Sequence, residues 1–236
     1  MKNQYFGDVN DYRKYGFLRL LQSSGKNRFL ISWMLTPNDK RRDGSLRKYL
    51  SQPQKWRAFD SDLYDGLKTA LDANATPMVS LIETSKLLPR TAFYNKEITD
   101  SPIERSSWKA GLKKSASKAD LVFFDPDNGI EIQSIHPGNK NYSKYVAKDE
   151  IKMVWDVGCS ILVYQHFPRK PHKAFVLELV SELERITGSS FIRAFSASQV
   201  LYLLIAQKKH QLLFERIISN SLIGWKDQIQ EILFSG

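Results

Sequence analysis

The sequence predicts a three-layer α/β protein: a mostly parallel sheet with helices on both faces, closed by an antiparallel strand pair. Three observations lead there. Short apolar runs alternate with longer amphipathic segments, the order that gives parallel strands joined by crossover helices. Leu121–Phe124 is apolar at every position, as a strand buried on both faces requires. Near the C-terminus, Ser190–Ser196 and Val200–Gln207 are β-rich runs only a few residues apart, which suits a hairpin.

Taken in order, residues 7–21 read as a helix whose first turn is capped by Asp8 or Asn10, with acids early and Arg13, Lys14 and Arg19 later. Its Tyr, Arg and Lys residues suit stacking and phosphate contacts, or else the Tyr residues pack on the sheet. Arg28–Leu35 reads as a buried strand ended by Thr36-Pro37-Asn38-Asp39. A basic loop (Lys40-Arg41-Arg42-Asp43-Gly44) and a helical piece through Tyr49-Leu50 follow. Asp60–Asp72 is a predicted helix, Met78–Ile82 fits helix or strand, and Thr91–Tyr94 is a strand. Pro102–Lys118 is a helix with Pro in its first turn.

After the central strand, residues 132–148 read as a polar loop, then Asp149–Asp156 as a short helix. Gly158–His166 is the next strand. Pro171–Thr187 has the clearest helical period, with Phe175, Leu179, Leu183 and Ile186 on one face. Beyond the hairpin, Lys208–Ser219 and a short terminal segment read as helices. The expected organisation is a single α/β domain carrying a basic helical extension over about residues 1–27.

Composition narrows the function. A single cysteine, Cys159, excludes a disulfide framework, and no run of about 18 apolar residues is present. Met1-Lys2-Asn3-Gln4 has no signal-peptide pattern, so a soluble cytoplasmic protein with no membrane partner is the expectation. Residues 1–60 hold 13 Lys and Arg against 5 Asp and Glu, so +8 of the net +10 lies in the first quarter. That asymmetry suits a phosphate-rich partner, DNA or RNA, because neutralising phosphates releases counterions. Arg13, Lys14, Arg41, Arg42, Lys144 and Arg169 are the candidate contacts.

The candidate site is the end of the central strand, where Leu121–Phe124 breaks into Asp125-Pro126-Asp127-Asn128-Gly129-Ile130-Glu131. Ligands of open α/β sheets bind just outside the carboxyl ends of strands, and three polar side chains emerge there at once. Asp125, Pro126, Asp127, Asn128 and Glu131 are the candidate catalytic residues, with His166 from the end of the neighbouring strand. The same residues would also serve an ordinary strand-to-loop turn.

This order of elements resembles the class I, Rossmann-like methyltransferases that use S-adenosylmethionine. Asp125-Pro126-Asp127-Asn128 is similar to the Asp-Pro-Pro-Tyr motif of adenine amino-methyltransferases, with Asp127 at the second proline and Asn128 at the aromatic. The N-terminal helix before the first strand resembles that of the 23S rRNA adenine-N6 methyltransferases and the three-Cys-motif partner proteins. The resemblance implies methylation of a nucleic-acid amine, with Asp125 and a backbone carbonyl orienting the amine and catalysis mostly by positioning. It implies S-adenosylmethionine as cofactor, for which Trp33, Thr36 and Asp43 are the candidate contacts. A flipped base would need an aromatic wall, with Phe124, Tyr164 and Phe167 as candidates.

Two rivals remain open at this level. Asp125, Asp127 and Glu131 are hard oxygen ligands suited to Mg²⁺ or Mn²⁺, which would make a metal-dependent phosphodiesterase or nuclease. A non-catalytic nucleic-acid-binding module on the same fold is the other. The sequence contains no Walker A loop, His-Glu-x-x-His helix, Gly-x-Ser-x-Gly elbow or zinc-type Cys cluster.

Overall fold

The computed structural model describes residues 1–39 and 46–233. Arg41, Arg42 and Asp43 lie outside the described residues. The elements, in chain order, are α1 (Val9–Leu21), β1 (Phe29–Ser32), α2 (Pro53–Trp56), α3 (Ser61–Asp72), α4 (Ser80–Thr84) and β2 (Thr91–Tyr94). Then come α5 (Pro102–Ala116), β3 (Leu121–Phe124), β4 (Gly129–Ile130), β5 (Tyr145–Val146), α6 (Lys148–Asp156) and β6 (Ser160–His166). α7 (His172–Thr187), β7 (Ile192–Ala197), β8 (Val200–Ile205), α8 (Gln211–Ser221) and β9 (Gln230–Ile232) complete the chain.

Seven strands form one mixed sheet in the order β2-β1-β3-β6-β8-β7-β9. β2, β1, β3 and β6 are mutually parallel neighbours, whereas β8, β7 and β9 pair antiparallel. The sheet is therefore α/β and mostly parallel, as predicted, and the β7–β8 hairpin forms. β9 replaces the terminal helix read from the sequence: Leu222–Trp225 is one 3₁₀ turn, after which the chain lies antiparallel to β7. Three residues are too short for a period to show, and the Arg193–Glu231 ion pair at 3.0 Å helps pin the strand. The loop expected over 132–148 holds one short strand, β5, which pairs parallel with β4 just before the loop.

Alternation along each strand builds the two hydrophobic layers. Phe29 and Ile31 of β1 and Leu121 and Phe123 of β3 face α1, α3 and α8. Leu30, Val122 and Phe124 face α5, α6 and α7 on the other side. Every residue of β3 is fully buried. On α7 the buried stripe runs through Val176, Leu179, Val180 and Leu183, and Phe175 and Ile186 border it half-buried. A side chain covers the turn N-terminal to its own Cα, which shifts the face from the one read by spacing.

The first 27 residues, expected as an extension, contribute to the core. Tyr12, Tyr15, Phe17 and Leu18 of α1 are fully buried against the sheet. The Tyr12 hydroxyl donates to Trp56 O at 2.8 Å, tying α1 to α2. No helix among the described residues is long and apolar enough to cross a membrane.

Candidate functional site

β1 leads out to β2 on one side and to β3 on the other through the sheet order, so the carboxyl ends of β1 and β3 form the crevice where such sheets bind ligands. A cleft of about 370 Å³ opens there. Asp125, Pro126, Asp127 and Asn128 line it from the end of β3, and Tyr164 and His166 from β6. The opposite wall is the N-terminal segment and the start of α1: Met1, Lys2, Tyr5, Asp8, Asn10, Asp11 and Lys14.

Asp125 is only 1% exposed, and its backbone N–H donates to Ser32 O at 3.0 Å, continuing the β1–β3 ladder past the strand. Its Oδ2 accepts Lys14 Nζ at 2.8 Å, and no hydrogen bond among the described residues reaches its Oδ1. Lys14 also donates to Asp11 Oδ1 at 2.9 Å, and its Nζ sits 4.8 Å from the Tyr164 ring centroid. Burial works against the charge on Lys14, but Asp11 and Asp125 outweigh it and hold the ammonium well above the ordinary lysine range. Burial raises the Asp125 pKa, with Lys14 and the N-terminal ammonium pulling the other way. Asp11 is anchored by the Gly7 N–H at 3.0 Å and the Tyr15 hydroxyl at 3.2 Å.

Asp127 points to β1 instead. Its Oδ1 lies 2.8 Å from the Met1 ammonium and its Oδ2 accepts the Thr36 hydroxyl at 2.8 Å. Burial alone would raise its pKa, yet the ammonium and the Thr36 hydroxyl carry it below the usual carboxylate value. The same ammonium donates to Met34 O at 3.2 Å and Asp125 O at 3.1 Å, and Met34 is left-handed at φ 49°. Thr36 N–H donates to Met1 O at 3.0 Å, so the N-terminal segment runs across the end of β1.

Gln165 fixes the rest of the turn. Its Oε1 accepts the Ile130 N–H at 2.8 Å, and its Nε2 donates to Asn128 O at 3.3 Å. Gly129 has φ 127°, and a Cβ there would stand 2.1 Å from Gln165 Oε1, so this position requires glycine. The Asn128 N–H donates to Lys144 O at 2.9 Å, which brings Lys144 to the cleft wall, and no carboxylate among the described residues pairs with its ammonium. The His166 ring stands edge-on to Tyr164 at 5.2 Å, and desolvation, then the Lys14 charge, lowers its pKa.

Several expected members are elsewhere. Glu131 does not border the cleft: its carboxylate takes the Lys148 N–H at 3.0 Å and the Tyr142 hydroxyl at 3.3 Å, bracing the start of α6. Asp125, Asp127 and Glu131 therefore do not converge, and no cluster of three or more His, Cys, Asp or Glu among the described residues could hold a metal ion. Trp33 lies in the core, stacked on Phe93 at 5.9 Å with its Nε1 donating to Glu83 at 2.7 Å, because the strand's alternation turns it to the α1 face. Of the two described residues expected to contact the cofactor, Trp33 lies in the core and the Thr36 hydroxyl donates to Asp127.

Phe124 is likewise core, and Phe167 stacks on His172 at 3.9 Å, so of the proposed aromatic wall only Tyr164 borders the cleft. Lys14, expected as a phosphate contact, is 3% exposed and belongs to the buried charge network. Arg13 turns outward, over the Trp56 ring at 5.3 Å and onto Gln228 Oε1 at 3.0 Å. Arg169 is exposed just past β6.

The residues not anticipated are Asp8 and Asp11, with Tyr5 beside them. Their signal was present in the sequence: Asp8, Asp11 and Lys14 repeat at three-residue steps and so share one helix face. A cap reading of Asp8 concealed it.

No family model matches the chain, and no curated protein matches it. Among solved structures it is similar to the crystal structure of LPL1258 from Legionella pneumophila str. Philadelphia 1, described under the family model DUF519. The two share 12% identity over 98% of this chain and 97% of that one, with a TM-score of 0.48. The similarity bears on no residue of the cleft.

Proposed function

We propose that the chain binds nucleic acid and takes an amine-bearing base into the cleft, with Asp125 accepting an N–H of the exocyclic amine. The observation that carries this reading is the state of Asp125: Lys14 fixes Oδ2 at 2.8 Å, while among the described residues no hydrogen bond reaches Oδ1 and the residue lines the cleft. A carboxylate oxygen with spare acceptor capacity at a cleft wall is free to take a ligand donor. The charges of the lining support a neutral ligand. Asp8, Asp11, Asp125 and Asp127 are matched by Lys2, Lys14, Lys144 and the N-terminal ammonium. Tyr5 and Tyr164 offer aromatic surface to a base, and the net charge of +10 suits a polyanionic carrier.

Methyl transfer to that amine is the second reading. The acid at the end of a central parallel strand, beside the crevice where the sheet order divides, favours it.

Isothermal calorimetry of the whole chain tests the first reading with adenosine, cytidine, uridine and N6,N6-dimethyladenosine. Adenosine or cytidine should bind, the two ligands without an exocyclic N–H should not, and Asp125→Asn should abolish the difference. Equal binding of all four, or none, would sink it. Thermal unfolding with S-adenosylmethionine tests the second, since a donor at 100 times its dissociation constant adds about 2.7 kcal/mol and shifts the midpoint by a few degrees. An unmoved midpoint leaves recognition without methyl transfer.

A further inference from the structure

Asp8 stands out among the groups of the cleft. It caps α1, and its Oδ1 accepts the Asn10 N–H at 2.8 Å and the Asp11 N–H at 2.9 Å. No hydrogen bond among the described residues reaches its Oδ2, and the residue, 6% exposed, borders the cleft. No cation pairs with it among the described residues. Lys14 is divided between Asp11 and Asp125, and Arg13 is turned to Gln228. The titratable groups around it are Asp11, Arg13, Lys14 and Tyr15 on α1, Tyr49 from the 3₁₀ turn at Lys48–Ser51, and Tyr164 from β6. Asp8 is thus a buried carboxyl beside a second carboxylate, with one oxygen open to the site and compensated by the helix terminus and, without a direct ion pair, by the Lys14 charge.

We infer that Asp8 is the proton-exchanging acceptor of the cleft: its open Oδ2 takes an N–H of the bound base, and the carboxyl ionises as it does so. Only an ionised or correctly rotated carboxyl can accept there, so a donor filling the cleft favours the charged form and expels the proton to solvent. The inference rests on the amine-binding reading above. The surroundings agree with it, since burial and then Asp11 push the Asp8 pKa up to about 7. With the free carboxyl partly protonated near neutral pH, occupancy should release protons, and the release should fall away as pH rises above that range.

Two measurements on the full chain test this. The first is calorimetry of adenosine binding at pH 7 in buffers of different ionisation enthalpy. The wild type should release a measurable fraction of a proton, and Asp8→Asn, which keeps a capping oxygen, should release none and bind more weakly. The second is a ¹³C carboxyl NMR titration of the free protein. One aspartate should titrate near neutrality, vanish in Asp8→Asn, and move to lower pH in Asp11→Asn. Adenosine binding that depends on Asp125 but releases no proton overturns the role of Asp8 and leaves the amine reading intact. A free protein with no carboxyl titrating above pH 6 also overturns it, whatever binds. Binding of neither adenosine nor cytidine brings both down; if cytidine alone binds, it replaces adenosine in the proton-release measurement.

Discussion

Lys14 Nζ lies 2.8 Å from Asp125 Oδ2, joining α1 to the end of β3 across 111 residues of sequence. Asp11 accepts from the same ammonium at 2.9 Å, so one cation serves two carboxylates inside the protein. A charge network of this type is favourable only while every member is present.

Removing Lys14 should therefore cost far more than losing a surface lysine. Lys14→Met leaves Asp11 and Asp125 buried without a cation, and about 3–5 kcal/mol of unfolding free energy should be lost. Adding Asp125→Asn to it should restore part of that loss. Urea denaturation of the single and double variants measures both, and a loss below about 1 kcal/mol would show the pair to be solvated.

Asp8 and Asp127 should give stability opposite pH dependences. The Asp8 pKa in the folded protein, about 7, lies above its ordinary 3.8, so the stability it adds is present below that ordinary value and is lost as pH rises toward 7. Asp8→Asn should accordingly be more stable than wild type above pH 7, with the difference closing near pH 4. Asp127 is depressed, so its contribution is present above 3.8 and is lost as pH falls through its folded pKa. Asp127→Asn should be destabilised at neutral pH and converge with wild type in acid. Denaturation curves at pH 4, 6 and 8 distinguish the two signs.

Gly129→Ala should disturb the turn that presents Asn128. At φ 127° the new side chain is strained, and its Cβ would stand 2.1 Å from Gln165 Oε1. A loss of roughly 1–3 kcal/mol is expected. Adding Gln165→Ala removes the clash but not the strain, so the double variant should recover only in part. Thermal unfolding of the three variants reports it.

Nucleic-acid affinity should fall steeply with salt, and Lys144→Ala should lower the slope of log K against log [salt] by about 1. Fluorescence anisotropy with a labelled single-stranded oligonucleotide over 50–200 mM salt, a range of several-fold screening, provides the readout. A slope unchanged by the substitution would remove Lys144 from the phosphate contacts.

The chain's own pattern was enough to place β1, β2, β3, β6 and the β7–β8 hairpin. Leu121–Phe124 has the uniform apolar run of a strand buried on both faces, and the helix read from Asp60 starts where the Asp60 side chain accepts the Leu63 N–H. The polar break after Phe124 ends that strand for the same local reason: turn-forming residues end a buried run. β9 escaped because three half-exposed residues carry no period.

What the tertiary structure decided is where each charge goes. Alternation set the face of Trp33 but not its partner, Glu83, fifty residues away. Nothing local distinguishes Lys14, buried between two aspartates, from Arg13 beside it, which turns outward to Gln228. Glu131 and Asp125 emerge from one short stretch, yet one braces α6 and the other opens into the cleft. The physical reason is that a charged group enters the interior only where a counter-charge or donor waits, and those partners come from distant segments that only the folded chain brings together.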